Sequence, residues 1–517
     1  MIPLATNLFN APDLGTRGKS IIFTPASFET QTTYSLSLSQ KAGKAGILLF
    51  ARKLWGALLN IGVMAYLART LDKSDFGLVA ITGTFLGFIQ TVGLSGLGEY
   101  ILFYNGPDQD KVNNAAFWLN SFLTIGVVLA TLIVAPFWSR LYEEPKILNL
   151  IYLMLIGFAF SMLSSIPQAI FRKELNYQPM VILLSIFGTL SQLSQVLFAF
   201  LGFGVYSLAL PTALVTPLLS ISLLWRSGFR PDWRFLGYTY WKTIYGYTKN
   251  VIGARILGKL VNEGDTLLIG KLLGMEALGI YDLAFKLANM LPSQLLPIIT
   301  NITLPIFAKN QNDISTVRRH YLKMIELISF VFFPVFGILI LFAPLIIPLL
   351  YGHKWDKAIL PFQILCLFAV LRSLSSPTSG LYNALGKPQI GLYFTAVFTP
   401  IFLVFLYIGS WYGLIATCIL VTSIRNLGSV FHFYMSDQLL GHGAKTFYRS
   451  TQAPLISTLL ASVAVILISK IIYPSWVGLL MFVTVYSLSL SLFFRKDLTR
   501  KLKLIGQIIP IKTLSIR

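Results

Sequence analysis

The sequence has few charged residues, two cysteines and four histidines, and each shortage argues against a class of protein. Charged residues make up 12% of its 517 residues, whereas an ordinary soluble domain has about 25%. Cys366 and Cys418 lie inside apolar runs without ligand spacing, so neither a disulfide framework nor a metal site is indicated. The histidines lack metal-ligand spacing, and no phosphate-binding loop of the Walker type is present. The sequence therefore predicts that the protein is not an enzyme.

Apolar residues are abundant: they make up 55% of the chain and give a mean hydropathy of +0.71. A soluble protein of this size could not bury so much apolar surface, and a disordered chain has far fewer apolar residues. The net charge of +21 comes from basic residues that lie mostly in short segments between apolar runs. That pattern is typical of cytoplasmic membrane loops rather than of nucleic-acid binding. The composition predicts an integral membrane protein with many spans.

A transmembrane helix needs about 20 apolar residues, which allows the spans to be counted. No residue from Leu175 to Trp225 is charged. As one helix this stretch would be roughly 76 Å long, so it must form two spans around a turn at 202–204. The alternating pattern of a membrane β-barrel is absent, so the predicted fold class is all-α. The fourteen predicted spans are 46–68, 78–104, 113–137, 147–171, 180–201, 205–225, 247–270, 279–308, 323–350, 358–385, 389–408, 411–436, 450–470 and 475–494.

The basic residues predict the orientation in the membrane. With the N-terminus inside, the cytoplasmic segments and their margins hold 28 Lys and Arg, and the external loops hold 8. This excess predicts that both termini lie in the cytoplasm. The predicted organisation is a polar N-terminal tail (1–44), an N-terminal half of six spans (45–225), a basic linker (226–246), a C-terminal half of six spans (247–436), two further spans (450–494) and a basic tail (495–517).

An internal repeat relates the two halves. At an offset of 202 residues, six identities and two basic matches occur within 27 residues. The matched pairs include Lys53 with Arg255, Gly56 with Gly258, Asn60 with Asn262, Arg69 with Lys271 and Gly77 with Gly279. Because six is an even number of spans, both halves enter the membrane the same way round. This is the plan of transporters with two parallel lobes and a site between them.

Three segments resemble a known family. They are the stretch from Asp265 to Tyr281, its counterpart from Arg69 to Gly77, and the segment from Leu381 to Pro388. Together they resemble the polysaccharide transporters of the multidrug/oligosaccharidyl-lipid/polysaccharide exporter superfamily, in particular flippases of O-antigen, colanic acid and exopolysaccharide pathways. The resemblance implies outward flipping of a polyprenyl-pyrophosphate-linked oligosaccharide across the bacterial inner membrane, without an ATP site. It also implies contacts with membrane lipids, a polysaccharide polymerase and a chain-length regulator.

Charged residues inside spans are costly and are candidates for function. In the seventh span Arg255, Lys259, Asn262 and Glu263 project within about 100° of one another. Two cations four residues apart repel each other, so an external anion such as a pyrophosphate is expected between them. In the alternative arrangement, Lys259 pairs with Glu263, and Arg255 pairs with an acid on another helix.

Further candidates lie elsewhere in the two halves. The repeat partners Lys53 and Asn60 are expected to face the seventh span from the N-terminal half. Arg372 and Arg425, isolated in spans ten and twelve, are further candidates for the substrate cavity. Asp282 and Lys286 are predicted to form a structural pair. Glu263 and Asp265 are the candidates for binding a coupling proton or Na⁺, and no other cofactor is expected.

Two other functions stay open at this point. A drug/cation antiporter of the same superfamily typically has twelve spans and an acidic ion site in its N-terminal half, and no carboxylate lies mid-span in the first six helices here. A membrane polysaccharide polymerase carries a large external loop, whereas the external loops here have roughly 15 residues or fewer. Both features favour the flippase.

Overall fold

The computed structural model describes residues 30–94, 96–233, 235–469 and 475–493. Over these ranges the chain is helical, with no strand. It divides into two compact units, residues 1–48 and 49–517, and the cavities and ion pairs described below lie in the second. The predicted C-terminal tail and residues 1–29 of the N-terminal tail lie outside the described residues. Residues 30–44, which the sequence placed in a polar tail, are helical.

The N-terminal half contains eight helices, because two of its predicted spans are interrupted. The second span breaks at Gly96, whose positive φ of 99° a residue with a side chain rarely adopts. The predicted turn at 202–204 is confirmed, with positive φ at Gly202 and Gly204. The helices are α1 (Thr30–Thr70), α2 (Lys73–Leu94), α3 (Leu97–Phe103), α4 (Gln109–Leu141), α5 (Pro145–Leu163), α6 (Ser165–Lys173), α7 (Tyr177–Phe200) and α8 (Tyr206–Arg226).

The C-terminal half begins with a long helical element that holds two predicted spans. This element, α9 (Tyr238–Lys309), contains a kink at Gly274, where φ is 84° and ψ is 174°. It starts inside the predicted linker 226–246, so that linker is partly helical. The elements that follow are α10 (Ile314–Leu341), α11 (Ala343–Tyr351), a 3₁₀ helix (His353–Ala358), α12 (Ile359–Ser375), α13 (Pro377–Ala384), α14 (Gln389–Ser410), α15 (Leu414–Leu440), α16 (Ala444–Ser469) and α17 (Ser475–Phe493).

The helices are those of a multi-pass membrane protein. Nine helices of the described residues are long and apolar enough to cross a bilayer. Each predicted span overlaps a helix of the structure, but the count of fourteen spans stays a prediction. Large apolar side chains such as Leu129, Leu193 and Val397 are exposed, as expected in a protein whose helices contact lipid.

Packing joins the two halves along α2 and α9. In the N-terminal half α5 packs against α4 and α8, and in the C-terminal half α15 packs against α12 and α14. The last two helices, α16 and α17, pack on each other, and both contact α10. One hydrophobic core runs through both halves and contains Leu67, Ile81, Tyr281 and Phe336, all buried. The contact between α2 and α9 is the main one between the halves, so it sets how their surfaces face each other.

Candidate functional site

The interface between the halves is closed at the level of the kink at Gly274, where the two long segments of α9 meet. There Gly77 of α2 lies against the backbone carbonyl of Met275, with no room for a Cβ atom. Gly279 of α9 lies in the same way against the backbone carbonyl of Lys73. Glycine is required at such a close approach because any side chain would collide with the facing backbone. We call this region the Gly274 end.

Two ion pairs cross the interface at the Gly274 end. The Nζ of Lys73 lies 3.0 Å from Oε1 of Glu276, and the Nζ of Lys271 lies 2.9 Å from Oε1 of Glu143. Each pair joins the N-terminal half to the C-terminal half. The lysine beside each glutamate lowers the pKa of Glu143 and of Glu276, because the hydrogen bond and the positive charge both favour the ionised carboxylate.

Backbone carbonyls complete the closure at the Gly274 end. The guanidinium of Arg69 donates hydrogen bonds to the carbonyl oxygens of Leu349, at 2.5 Å, and Leu350, at 3.2 Å. In the other direction, the buried Nε1 of Trp355 donates to the carbonyl oxygen of Ala68 at 2.8 Å. These bonds satisfy carbonyls at helix ends, which otherwise lack intrahelical partners. Passage between the halves is blocked at this end.

A cavity of about 500 Å³ lies between α1, α7 and α9, and we call it the Lys53 cavity. The C-terminal residue of α1, Thr70, lies near the Gly274 end. At 1.5 Å per residue, Lys53 is roughly 25 Å from Thr70 along the helix. Lys53 and Asn60, both predicted from sequence, line it, together with Arg52. Neither Arg52 nor Lys53 makes an ion pair with a carboxylate in the described part of the chain. Sequence reasoning missed Arg52, although its position next to Lys53 was a signal.

The polar stripe of α9 adopts the alternative arrangement that the sequence left open. Lys259 pairs with Glu263 at 2.5 Å, and Arg255 pairs at 2.5 Å with Glu99 of α3. Arg255 and Glu99 are about half exposed, at 48% and 45%, and line a separate cavity of about 380 Å³. The same cavity includes Arg172. The two cations of the stripe therefore have protein partners, and Arg255 also faces open space.

A buried ion pair ties α9 to α15. Nη2 of Arg425 lies 2.9 Å from Oδ2 of Asp265, and the two side chains are 5% and 1% exposed. The hydroxyl of Tyr281 donates to the same carboxylate oxygen at 2.6 Å. The guanidinium is also 4.7 Å from the ring centroid of Phe402. Asp265, a predicted coupling-ion ligand, thus already binds a fixed cation.

Arg372 is the remaining candidate and lies between two cavities of the C-terminal half. Its Nη1 donates to Oδ1 of Asn289 at 3.0 Å, and within the described ranges it has no carboxylate partner. With Asn262 it lines one cavity of about 500 Å³, which we call the Asn289 cavity, and one of about 200 Å³. Glu263 also lines the Asn289 cavity, and Arg425 lines the smaller one. Lys259 and Asp265 line none of these cavities, and the other predicted residues are distributed over four cavities rather than one.

Two further expectations from sequence can be compared with the geometry. The pair Asp282 and Lys286 is confirmed, with 2.7 Å between Oδ2 and Nζ. The expectation that no metal is bound rests on the spacing of histidines and cysteines. In the ranges that the structure describes, no cluster of three metal-ligating side chains occurs.

Comparison with known proteins identifies the family to which the chain belongs. The family model described as "Polysaccharide biosynthesis protein" matches residues 66–360. The chain is 25% identical over 437 residues to the lipopolysaccharide biosynthesis protein WzxC of Escherichia coli, covering 80% of this chain and 85% of that protein. It is 25% identical over 388 residues to the teichuronic acid biosynthesis protein TuaB of Bacillus subtilis, covering 72% and 77%. Its fold is similar to that of the lipid II flippase MurJ in an inward closed conformation, with a TM-score of 0.73 at 15% identity over 87% of this chain and 99% of that one.

Proposed function

Because the chain belongs to the family of polysaccharide biosynthesis proteins, we propose that it flips a polyprenyl-pyrophosphate-linked oligosaccharide across the bacterial inner membrane. The family match over residues 66–360 is the observation that carries this proposal. The fold shared with a lipid II flippase and the cavities between the two halves support it. The flipped units would serve the synthesis of a surface polysaccharide such as O-antigen, capsule or exopolysaccharide.

The two halves, residues 45–225 and 247–436, would open alternately to the two sides of the membrane. The Gly274 end is closed, and the Lys53 cavity lies toward the opposite end of α1. With both termini in the cytoplasm, as the excess of basic residues predicts, the Lys53 cavity opens on the cytoplasmic side. Cargo would enter there, and opening of the Gly274 end would release it outside.

The unpaired cations are the proposed site for the pyrophosphate. Arg52 and Lys53 carry two positive charges on one cavity, and an arginine can bind phosphate oxygens with two parallel hydrogen bonds. Asn60 lines the same cavity and can donate to or accept from a sugar hydroxyl. Arg372 offers a further positive charge in the C-terminal half. The lipid tail would stay in the bilayer.

Arg255 and Lys259 would act differently, because each has an acidic partner. An anionic cargo would compete with Glu99 for Arg255 and with Glu263 for Lys259. Glu263 is 31% exposed, so it is better placed than the buried Asp265 to take up a proton or Na⁺ when its lysine is drawn away. Coupling to an ion gradient through Glu263 is therefore part of the proposal. A polysaccharide polymerase and a chain-length regulator are the proposed protein partners.

The test uses cells that lack the gene, in which surface polysaccharide and lipid-linked oligosaccharide are both quantified. The expected result is loss of polymer, with complete repeat units accumulating on the cytoplasmic face of the inner membrane. Re-expression of the wild-type protein should restore export. Unpolymerised repeat units on the outer face would instead indicate a polymerase. Unchanged polymer together with loss of drug export would indicate a drug/cation antiporter.

A further inference from the structure

The 200 Å³ cavity has an aromatic wall, and we call it the aromatic cavity. It lies between α9, α12, α14 and α15 of the C-terminal half. Phe394 and Phe398 of α14 both line it, and their rings stack with centroids 5.0 Å apart at 23°. Phe368 of α12 contributes a third ring to the lining. Three aromatic rings therefore border one small space, and those of Phe394 and Phe398 also stack on rings outside the lining.

Polar side chains border the same space. Asn262, Arg372 and His432 line it, and His432 holds its Nδ1 3.1 Å from the hydroxyl of Tyr382. The Nε2 of His432 makes no hydrogen bond within the described part of the chain. Arg425 also lines the cavity; it is 94% buried, and its Nε has no partner among the described residues. A ligand with hydroxyl groups could bond the free Nε2 of His432, whereas the Nε of Arg425 is enclosed by protein atoms.

This combination fits a sugar ring. A pyranose presents C–H groups on its faces, which pack on aromatic rings, and hydroxyl groups at its edge, which both donate and accept hydrogen bonds. A polyprenyl chain would leave the arginine, histidine and asparagine groups desolvated without partners. A volume of about 200 Å³ is below the roughly 300–1,000 Å³ of pockets for larger ligands, so the space suits one ring rather than a whole oligosaccharide.

The position of the aromatic cavity relative to the other cavities also fits a sugar of the cargo. It shares Asn262 and Arg372 with the Asn289 cavity. The Asn289 cavity in turn shares Ser293 with the Lys53 cavity. The three cavities therefore adjoin one another through shared lining residues, from the unpaired cations to the aromatic wall. A cargo whose pyrophosphate lies beside Lys53 could extend its sugars along these cavities.

We propose that the aromatic cavity binds one sugar ring of the cargo, with Phe394 and Phe398 packing on the ring and Arg372 and His432 bonding its hydroxyls. The proposal rests on the proposed function, since it assigns part of the same cargo. The aromatic cavity would make the protein bind the sugar-bearing lipid more tightly than the lipid without sugar. It would also make the residues of its wall the determinants of which sugar is accepted.

The experiment measures lipid binding to the purified full-length protein by native mass spectrometry. One probe is undecaprenyl pyrophosphate, and the other is the undecaprenyl-pyrophosphate-linked oligosaccharide extracted from cells that lack the gene. Phe398→Leu removes the aromatic face and keeps an apolar side chain. Phe398→Tyr keeps the face, and Phe405→Leu changes a 38% exposed ring on the same helix as a matched control.

We expect Phe398→Leu to weaken binding of the sugar-bearing lipid between about two- and tenfold, with no change for undecaprenyl pyrophosphate. Phe398→Tyr and Phe405→Leu should bind both lipids as the wild type does. Equal weakening for both lipids would indicate a structural role or a site for the polyprenyl chain, and would overturn the sugar site. Unchanged binding of both would overturn it as well. A wild-type protein that binds neither lipid would contradict the proposed function itself.

Discussion

Gly77 and Gly279 occupy equivalent positions in the two halves, and each lies against a backbone carbonyl of the opposite half. Gly77 faces Met275, and Gly279 faces Lys73. Met275 follows Lys73 by 202 residues, as Gly279 follows Gly77. The two contacts are therefore reciprocal, as in the interface of a two-fold symmetric dimer, where the same patch serves both partners. The residues that close the Gly274 end are therefore matched positions of the internal repeat.

A larger side chain at this contact should open the Gly274 end. Gly77→Val and Gly279→Val each place atoms where a backbone carbonyl now lies, so α2 and α9 must separate. Nitroxide labels on Leu141→Cys and Leu349→Cys, which are exposed on opposite halves, should show a longer distance by electron paramagnetic resonance. The native cysteines, Cys366 and Cys418, are buried and give little background labelling.

The control for this prediction is Gly83→Ala on the same helix. A Cβ at Gly83 would meet no atom within 4 Å, so the label distance should stay that of the wild type. If the valine variants also kept the wild-type distance, the glycine contact would not be what holds the Gly274 end closed.

Acid should also open the Gly274 end, because two carboxylates there have a lowered pKa. Pairing with lysine lowers the pKa of Glu276 and of Glu143, so the pairs are complete above the ordinary glutamate pKa of roughly 4.3. Their contribution to the closed state is lost as the pH falls through the lowered pKa of each group. The distance between the labels on Leu141→Cys and Leu349→Cys should therefore be constant from pH 7 to about pH 5 and lengthen below about pH 4.

Glu143→Gln with Glu276→Gln tests the cause of this acid response. The double variant cannot ionise at either position, so at pH 7 it should resemble the acid form of the wild type. Its label distances should respond less to acid. A full acid response in this variant would assign the effect to other groups.

Breaking the buried pair between Asp265 and Arg425 should destabilise the protein strongly. Arg425→Leu leaves the carboxylate of Asp265 buried without a countercharge, bonded only to the Tyr281 hydroxyl and the Thr266 backbone amide, at a cost of about 3–5 kcal/mol. Asp265→Asn combined with Arg425→Leu removes both charges and should be more stable than Arg425→Leu alone. Thermal unfolding of the purified proteins in detergent gives the comparison.

An exposed ion pair supplies the control for the buried one. Lys111 and Asp108 are 57% and 40% exposed, and removing such an exposed pair changes stability little, because solvent screens it. Lys111→Ala should therefore unfold close to the wild-type temperature. If the double variant at Asp265 and Arg425 were no more stable than Arg425→Leu, the shape of the arginine, rather than its charge, would be the stabilising feature.

Loss of either unpaired cation in the Lys53 cavity should weaken binding of the cargo headgroup. Arg52→Ala and Lys53→Ala should each weaken binding of undecaprenyl pyrophosphate at least about tenfold, because a hydrogen bond between charged groups contributes about 1.5–3 kcal/mol. Lys53→Arg keeps the charge and should retain binding. Arg255→Ala should have a smaller effect, since Glu99 already occupies that guanidinium.

Undecaprenol, which has no phosphate, is the matched probe for this measurement. None of these substitutions should change its binding, because it offers no anion to Arg52 or Lys53. An equal loss for undecaprenol would mean that the substitutions disturb the fold. Wild-type affinity for the pyrophosphate in both alanine variants would place the headgroup elsewhere.

The sequence by itself determined the features that depend on local chemistry. Long uncharged runs set the helical spans, because an apolar stretch of sufficient length must cross the bilayer as a helix. Glycines at 202 and 204 marked a turn, and the spacing of Lys259 and Glu263 allowed a pair within one helix. The repeat includes Gly77 and Gly279, where a close backbone contact tolerates no other residue.

Only the tertiary structure decided which distant residues meet. Arg255 lies 156 residues from Glu99, and Arg425 lies 160 residues from Asp265. No spacing rule relates such positions, because their distance depends on how whole helices pack. For the same reason the sequence placed the candidate substrate-binding residues on one cavity, whereas the packing distributes most of them over four. The sequence identified polar groups within apolar spans, and the fold determined which of them have partners and which face open space.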